Sequence, residues 1–98
     1  MLKYINQVDI KFAPFSKASK SSRLFLNRIM TDKARLANPN AIINTVILSD
    51  VKKEPRINIT YSDGKKVHIR TGDKTIEHVL TIVNKHMRKL QDNEDFAT

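Results

Sequence analysis

Residues 8–15, Val-Asp-Ile-Lys-Phe-Ala-Pro-Phe, determine the architecture because they contain both the clearest strand pattern and the point where that strand has to end. Every second residue from Val8 to Phe12 is apolar, which is typical of a strand buried on one face. Pro14 cannot donate to a strand ladder, and Ser16 or Ser19 can then cap a helix. The segment therefore predicts a strand followed directly by a helix.

The residues after this turn have the pattern of an amphipathic helix. Its predicted buried side has small or apolar residues at three- and four-residue spacing, namely Ala18, Ser22, Phe25, Leu26 and Ile29. Asn38-Pro39 has to end any continuation, because proline disfavours helical geometry in the residue before it. The opposite side is polar and basic, so we expect a helix with a basic outer face.

A second strand is predicted between Ile42 and Val51, where β-branched residues are dense. Apolar side chains occupy both alternations there, which suits an inner or doubly covered strand. A helix between two strands also favours a parallel crossover. The pattern thus predicts a strand that is central or paired in parallel.

A hairpin and a second helix follow. Residues 57–61 alternate apolar and polar side chains up to Asp63-Gly64, where the glycine supplies the positive φ of a hairpin turn. Val67 and Ile69 return on the partner strand. The last helix is predicted from a continuous apolar stripe of Ile76, Val79, Leu80, Val83, Met87 and Leu90.

The predicted order is β-α-β-β-β-α, which packs as a small mixed sheet flanked by two helices in an α/β fold with a thioredoxin-like look. With 98 residues the chain is long enough for one domain and too short for several. We assign residues 1–91 to that single thioredoxin-like domain. The acidic C-terminal tail, residues 92–98, is expected to be frayed.

The composition excludes several classes of function. The chain has no cysteine, so it cannot form disulfides, thiolate nucleophiles, cysteine-ligated zinc or iron–sulfur centres. No apolar run approaches the roughly 20 residues needed to cross a bilayer, so no membrane span is expected. The N-terminal residues resemble neither a secretory signal nor a transit peptide, and we expect any organelle signal to be internal or uncleaved.

The residues that usually carry catalysis are not arranged for it. His78 and His86 are separated by about 80° and about 12 Å on a helix, which is too far for one metal ion. The serines near Ser16 are explained by helix capping. Gly64 and Gly72 fit turns and cannot form a phosphate loop. We therefore expect no enzyme, no metal, no cofactor and no small-molecule substrate.

The charge of the chain points to a polyanion as partner. Residues 1–91 hold all 18 Lys and Arg and seven of the ten acids, a net charge of +11, while the tail contributes −3. A compact body of that charge binds nucleic acid by releasing counter-ions, with strong salt dependence. Nucleic acid is therefore the leading class of partner.

Three groups of candidate RNA-binding residues follow from the pattern. The first lies on the first helix and just beyond it, and consists of Lys17, Lys20, Arg23, Arg28, Lys33 and Arg35. The second lies on the hairpin, and consists of Lys65, Lys66, His68 and Arg70. The third lies on the last helix, and consists of Lys85, Arg88 and Lys89. Leu24 points outward within the first group and is a candidate protein contact. The aromatic residues mostly occupy predicted core positions, so contacts to the RNA backbone and shape are expected rather than base stacking.

The sequence also resembles a known family. Residues 8–15, then Arg23-Leu24-Phe25-Leu26, then Ser49-Asp50-Val51 before the strand that closes on Asp63-Gly64, resemble the mitochondrial large-subunit ribosomal protein fifty-three family. Its yeast member carries the number forty-four in an older scheme. The likeness runs from about residue 4 to about residue 90.

The resemblance implies a non-catalytic component of the mitochondrial large ribosomal subunit, in the matrix, near the base of the flexible stalk. It implies contacts with ribosomal RNA and with other mitochondrial ribosomal proteins. Redox-active thioredoxins carry paired cysteines where this chain has residues 14–17, Pro-Phe-Ser-Lys, which implies a scaffold without redox function. The alternative is a non-catalytic accessory or assembly subunit of a respiratory complex that uses the same fold for protein–protein contacts.

Overall fold

A computed structural model describes residues 3–97, with side chains described for residues 3–93. It contains four strands, which are β1 (Ile5–Phe12), β2 (Ile42–Ile47), β3 (Arg56–Tyr61) and β4 (Lys66–Arg70). It contains three α-helices, which are α1 (Lys20–Ile29), α2 (Asp32–Ala37) and α3 (Ile76–Ala97). A single 3₁₀ turn, Lys17–Ser19, leads into α1. The order confirms the predicted β-α-β-β-β-α arrangement, with the short α2 added between α1 and β2.

The four strands form one mixed sheet in the order β2-β1-β3-β4. β1 and β2 run parallel with Val8 opposite Ile43, whereas β3 is antiparallel to both β1 and β4. The parallel pairing of β2 is therefore confirmed. A central position for β2 is wrong, because the strand lies at the edge of the sheet and five of its six residues are exposed.

One face of the sheet carries the hydrophobic core. The inward residues of β1 and β3 pack in one buried cluster with Phe25 and Ile29 of α1 and with Val79 and Val83 of α3. These helical residues recur at three- and four-residue spacing, so each helix turns one apolar stripe toward the strands. The fold class predicted from the sequence, an α/β fold compatible with a thioredoxin-like arrangement, is confirmed.

The other face of the sheet is open. The segment joining β2 to β3 forms turns and contains no helix that could cover this face. Because side chains alternate along a strand, the open face consists of Gln7, Asp9, Lys11, Ile42, Asn44, Val46, Arg56, Asn58, Thr60, Lys66, His68 and Arg70. None of them is buried. Both long helices thus lie on the same side, and the predicted flanking of the sheet by helices is one-sided.

Short polar contacts fix the ends of the elements. The Ser16 hydroxyl accepts from the Ala18 amide at 3.2 Å and so caps the 3₁₀ turn, as predicted for this serine. Gly64 has φ of 92°, which is the left-handed conformation that the hairpin turn requires. The Ser21 hydroxyl donates to the Lys74 carbonyl, and this bond joins the start of α1 to the segment before α3. The two long helices therefore begin at the same end of the molecule.

The last helix extends further than the apolar stripe indicates. α3 ends at Ala97, so its final turns lie in the acidic segment. The predicted frayed tail, residues 92–98, ends at Thr98, which lies outside the described residues. The domain limits and the fraying stay predictions. No described helix has the length and apolarity to cross a bilayer.

Candidate nucleic-acid interface

The outer side of α1 is cationic, as predicted. Lys20, Arg23 and Arg28 are exposed, and Lys17 is exposed on the preceding turn. Phe25 and the other buried residues of α1 point the opposite way. No described carboxylate lies within ion-pair distance of these four cations. We call Lys17, Lys20, Arg23 and Arg28 the helix cations.

The two cations of α2 lie in different settings. Lys33 is exposed. Arg35 is half-buried, and its Nη1 donates to the Ala41 carbonyl at 3.5 Å. Arg35 is therefore partly engaged in holding the segment that enters β2.

Leu24 is only partly exposed, at 37%. It lines a groove between the starts of α1 and α3 together with Lys17, Lys20, Lys74 and Ile76. Leu24 lies among cations in this groove, and its role as a protein contact stays a prediction; Lys74 is a further cation of the groove that the sequence reasoning missed. Lys74 is half-buried, and its ammonium lies 3.3 Å from the Asp73 carboxylate, which lowers the pKa of Asp73.

The structure divides the hairpin cations between the two sides of the sheet. Lys66, His68 and Arg70 lie on the open face. Lys65 lies on the helical side, where it lines a shallow pocket with Lys85, Lys89 and other residues. Arg88 is exposed on α3 as well. The second and third candidate groups are therefore not separate, because Lys65 belongs with the cations of α3.

The open face carries a row of three adjacent cations. Lys11 on β1 is opposite Arg56 on β3, and Arg56 is in turn opposite Arg70 on β4. We call these three residues the cation row. Lys11 and Arg56 also line a groove with Lys53 and Glu54, and a Glu54 carboxylate oxygen lies 3.8 Å from Nε of Arg70. Like charges directly opposite each other across strands destabilise a sheet, and one exposed glutamate compensates this row only in part.

Lys11 and Arg56 were missed by the sequence reasoning. The signal was present, because the alternation in β1 and β3 already places both residues on the outward side. Their adjacency was not visible, because it depends on the register between strands that are far apart in the sequence.

The polar residues next to the row are linked to one another. His68 Nδ1 lies 2.7 Å from Asn58 Oδ1, and the Asn44 amide donates to the Asp9 carboxylate at 2.9 Å. Asp9 is the one carboxylate on the open face as defined above. The open face therefore carries cations on β1, β3 and β4 and becomes apolar toward β2, where Ile42 and Val46 are exposed.

The remaining histidines, His78 and His86, both lie on α3. His86 Nε2 lies 2.9 Å from Asp63 Oδ2, and its ring packs edge-on against Tyr61 with 4.6 Å between the ring centres. Its role is to hold α3 against the β3–β4 hairpin. Within the described part of the chain, no group of histidine and carboxylate side chains could hold a metal ion.

One aromatic residue departs from the expected pattern. Phe12, Phe25 and Tyr61 are buried, as predicted for core positions. Phe15 is 95% exposed in the loop after β1, two residues from Lys17. A free aromatic ring is therefore present beside the helix cations, and it could pack on a base or on a protein neighbour.

Comparisons with known proteins place the chain in a family. The family model described as 39S ribosomal protein L53/MRP-L53 matches residues 12–64, from the end of β1 to the hairpin turn. A relative from Neurospora crassa, named Large ribosomal subunit protein mL53, is 27% identical over 95 residues, which is 97% of this chain and 95% of the relative.

Two further relatives carry the same name. The one from Saccharomyces cerevisiae is 27% identical over 89 residues, which is 90% of this chain and 88% of the relative. The one from Schizosaccharomyces pombe is 26% identical over 92 residues, which is 93% of this chain and 92% of the relative. These matches confirm the predicted family and, with it, the mitochondrial ribosome in the matrix as the location. The family model covers more than half of the chain, and the chain belongs to the mitochondrial large-subunit ribosomal protein L53 family.

Proposed function

We propose that this protein is a non-catalytic, structural component of the mitochondrial large ribosomal subunit that binds ribosomal RNA through two cationic surfaces and also contacts neighbouring ribosomal proteins. The first surface is formed by the helix cations, with Lys33 and Arg35 just beyond them. The second is formed by the cation row, with Lys66 and His68 on the same face. A position near the stalk base is part of the proposal and is supported by the family resemblance alone.

The cation row is the observation that carries the proposal. Three cations in register on adjacent strands repel one another, and a fold gains nothing from that arrangement by itself. A phosphate seated between them removes the repulsion and releases counter-ions from the RNA. Arginine suits this role, because its planar group donates two hydrogen bonds to one phosphate. The row therefore fits a segment of RNA backbone crossing the open face.

The remaining candidate cations support the same function from the helical side. Lys65, Lys85, Arg88 and Lys89 lie on or near α3, where they widen the positive surface. We propose that they act at longer range. Exposed charges separated by more than about 8–10 Å are largely screened at physiological salt, so this group contributes less to affinity than charges in direct contact with phosphates.

Charge reversal tests the two surfaces. Lys11→Glu/Arg56→Glu/Arg70→Glu reverses the cation row, and Lys20→Glu/Arg23→Glu/Arg28→Glu reverses most of the helix cations. Lys85→Glu/Arg88→Glu/Lys89→Glu is the matched control, because it changes the net charge by the same amount. The measurement is binding to large-subunit RNA as a function of salt concentration. The plot of log K against log salt falls with a negative slope. In each of the first two variants the magnitude of this slope is expected to decrease by about one unit per lost contact.

The position of the charges separates specific contact from general attraction. If all three variants lose the same affinity and slope, the binding reflects net charge alone and the two proposed surfaces are wrong. If the first two variants keep wild-type affinity and slope, RNA does not contact these surfaces. Release of the first two variants from ribosomal particles, with retention of the α3 variant, is the result that the proposal requires.

A further inference from the structure

The two edges of the sheet differ in their protection against pairing with another strand. β4 presents Lys66, His68 and Arg70, whose charges and polarity discourage pairing with a further strand. β2 has the sequence Ile-Ile-Asn-Thr-Val-Ile and contains no charged residue, proline or glycine. Natural proteins usually protect exposed edges by one of these means. β2 is therefore an unprotected edge strand.

The backbone of β2 has a free row of hydrogen-bonding groups. The Leu48 amide donates to the Phe12 carbonyl at 2.8 Å, which fixes the phase of the β1–β2 ladder. In a parallel ladder alternate residues direct both backbone groups to the same neighbour, so those of Ile43, Thr45 and Ile47 point outward. Within residues 3–97 no strand lies beyond β2. A row of donors and acceptors at strand spacing is matched by another extended backbone.

The side chains of β2 are apolar on both faces of the sheet. Ile42 and Val46 are 54% and 43% exposed on the open face. Ile47 is 58% exposed on the helical side, whereas Ile43 on the same side is half-buried against the core. An added strand would cover apolar surface on both faces as well as the backbone edge, and an exposed apolar patch of this kind is typical of an interaction site.

We propose that β2 binds an extended segment of a neighbouring protein by strand addition, which enlarges the sheet to five strands. The segment is apolar and uncharged in its centre, where it faces Ile42 to Ile47. It carries acidic residues at the end that lies beside the entry to β2, because Arg35 lies there and the chain as a whole has a net charge of +8. The inference takes from the proposed function only the setting, a ribosomal particle in which such a segment is available.

Two other occupants fit the edge less well. RNA requires cations, and β2 has none. A second copy of this chain would place two bodies of net charge +8 side by side, which their mutual repulsion opposes. A protein segment with an apolar centre and one acidic end fits the backbone, the apolar side chains and the positive charge of the chain at once.

Thr45→Pro tests the backbone part of the proposal. Proline removes the outward amide of Thr45 and leaves the β1–β2 hydrogen bonds in place, because those are made by the alternate residues. Thr45→Val is the matched control, since it keeps the amide. We expect Thr45→Pro to reduce incorporation into large-subunit particles at least about tenfold, and Thr45→Val to behave as the wild type. Ile47→Lys, which keeps the whole backbone and adds an edge charge, is expected to reduce incorporation as well.

Hydrogen exchange provides the second measurement. The amides of Ile43, Thr45 and Ile47 are expected to exchange rapidly in the isolated chain and to be protected in the particle. Equal exchange of these amides in both states, or normal incorporation of Thr45→Pro and Ile47→Lys, would overturn the proposal. Sedimentation of the isolated chain as a dimer that Thr45→Pro abolishes would assign the edge to a second copy and also contradict it.

The same variants separate this inference from the RNA-binding proposal. Thr45→Pro is expected to bind isolated RNA as the wild type does, because β2 carries no cation. Reversal of the cation row is expected to weaken RNA binding without changing the exchange of the β2 amides in the isolated chain. If the predictions for β2 fail, the RNA-binding proposal still stands. If the predictions for RNA binding fail, the strand-addition proposal still stands.

Discussion

The hydroxyl of Tyr61, at the end of β3, donates a hydrogen bond to the carbonyl oxygen of Val83 in α3, with 2.8 Å between the oxygens. Both residues are fully buried, so this bond fixes the long helix against the sheet from within the core. Burial, with a smaller contribution from the charge of Asp63, raises the pKa of Tyr61 to about 12. The neutral hydroxyl is thus part of the folded structure.

The raised pKa of Tyr61 predicts a loss of stability in alkali. The folded state holds this proton more tightly than the unfolded state, whose tyrosine pKa is 10.0. The contribution of Tyr61 is therefore complete below about pH 10 and is lost as the pH rises toward about 12. Urea unfolding between pH 8 and pH 12 measures it.

Tyr61→Phe is the control for this prediction. It removes the titrating group together with one hydrogen bond, at a cost of about 1 kcal/mol at neutral pH. Its stability is expected to fall less steeply between pH 10 and pH 12 than that of the wild type. Parallel curves for the two proteins would contradict the assignment of the alkaline loss to Tyr61.

A second buried contact joins α1 to the end of β4. The hydroxyl oxygens of Ser22 and Thr71 lie 2.6 Å apart, and both residues are buried. Ser22→Ala leaves the Thr71 hydroxyl without this partner in the core, and we expect a loss of about 1–3 kcal/mol in the free energy of unfolding. Ser22→Ala/Thr71→Val removes both groups and is expected to recover part of the loss. A double-mutant cycle by urea denaturation measures the coupling, and strictly additive losses would show that the bond contributes nothing.

Two phenylalanines test the burial of the helical layer. Phe25 is fully buried between α1 and the sheet, so Phe25→Ala is expected to cost about 3–5 kcal/mol. Phe15 is 95% exposed, and Phe15→Ala is expected to change stability by less than about 0.5 kcal/mol. Thermal unfolding of both variants checks the contrast. Similar losses for the two substitutions would mean that the face of α1 is misassigned.

The hydrogen bonds that Asp63 accepts from the Lys65 amide and shares with His86 predict a dependence of stability on acid. The Lys65 amide and then the His86 ring hold the pKa of Asp63 below its ordinary value of 3.8. The contribution of Asp63 is therefore present above about pH 4 and is lost as the pH falls through the lowered pKa. Asp63→Asn is expected to flatten the loss of stability between pH 5 and pH 2 in urea titrations. An unchanged acid limb in this variant would exclude Asp63 as a contributor.

The periodic elements could be predicted from the sequence because their patterns are local. The alternation from Val8 to Phe12 and the stripe through Val79 and Val83 correctly gave the core-facing sides of β1 and α3. The hydrophobic pattern does not separate α2 from α1, whereas in the structure Thr31 caps a new helix by accepting from the Ala34 amide. That separation depends on a single hydrogen bond, which a hydrophobic pattern does not encode.

β2 shows where the pattern misleads. Apolar residues on both alternations indicate that a strand is covered on both faces, but they do not say by which chain. Ile42 and Ile47 are exposed in this chain, so the coverage predicted for an inner strand is absent within the described residues. The proposed strand addition gives the pattern its physical reason.

The candidate site could be predicted in its chemistry and only partly in its geometry. The surplus of Lys and Arg is a property of the composition. The assignment of Lys65 to the helical side and the adjacency of Lys11 to Arg56 depend on strand direction and register, which are set by contacts distant in sequence.

The most direct test identifies the particle with which the protein associates in mitochondria. A tagged chain is sedimented from a mitochondrial lysate, with and without nuclease treatment. The account predicts that the protein sediments with large ribosomal subunits and that nuclease releases it or moves it to smaller RNA-protein fragments. Sedimentation with respiratory complexes, unchanged by nuclease, would contradict it.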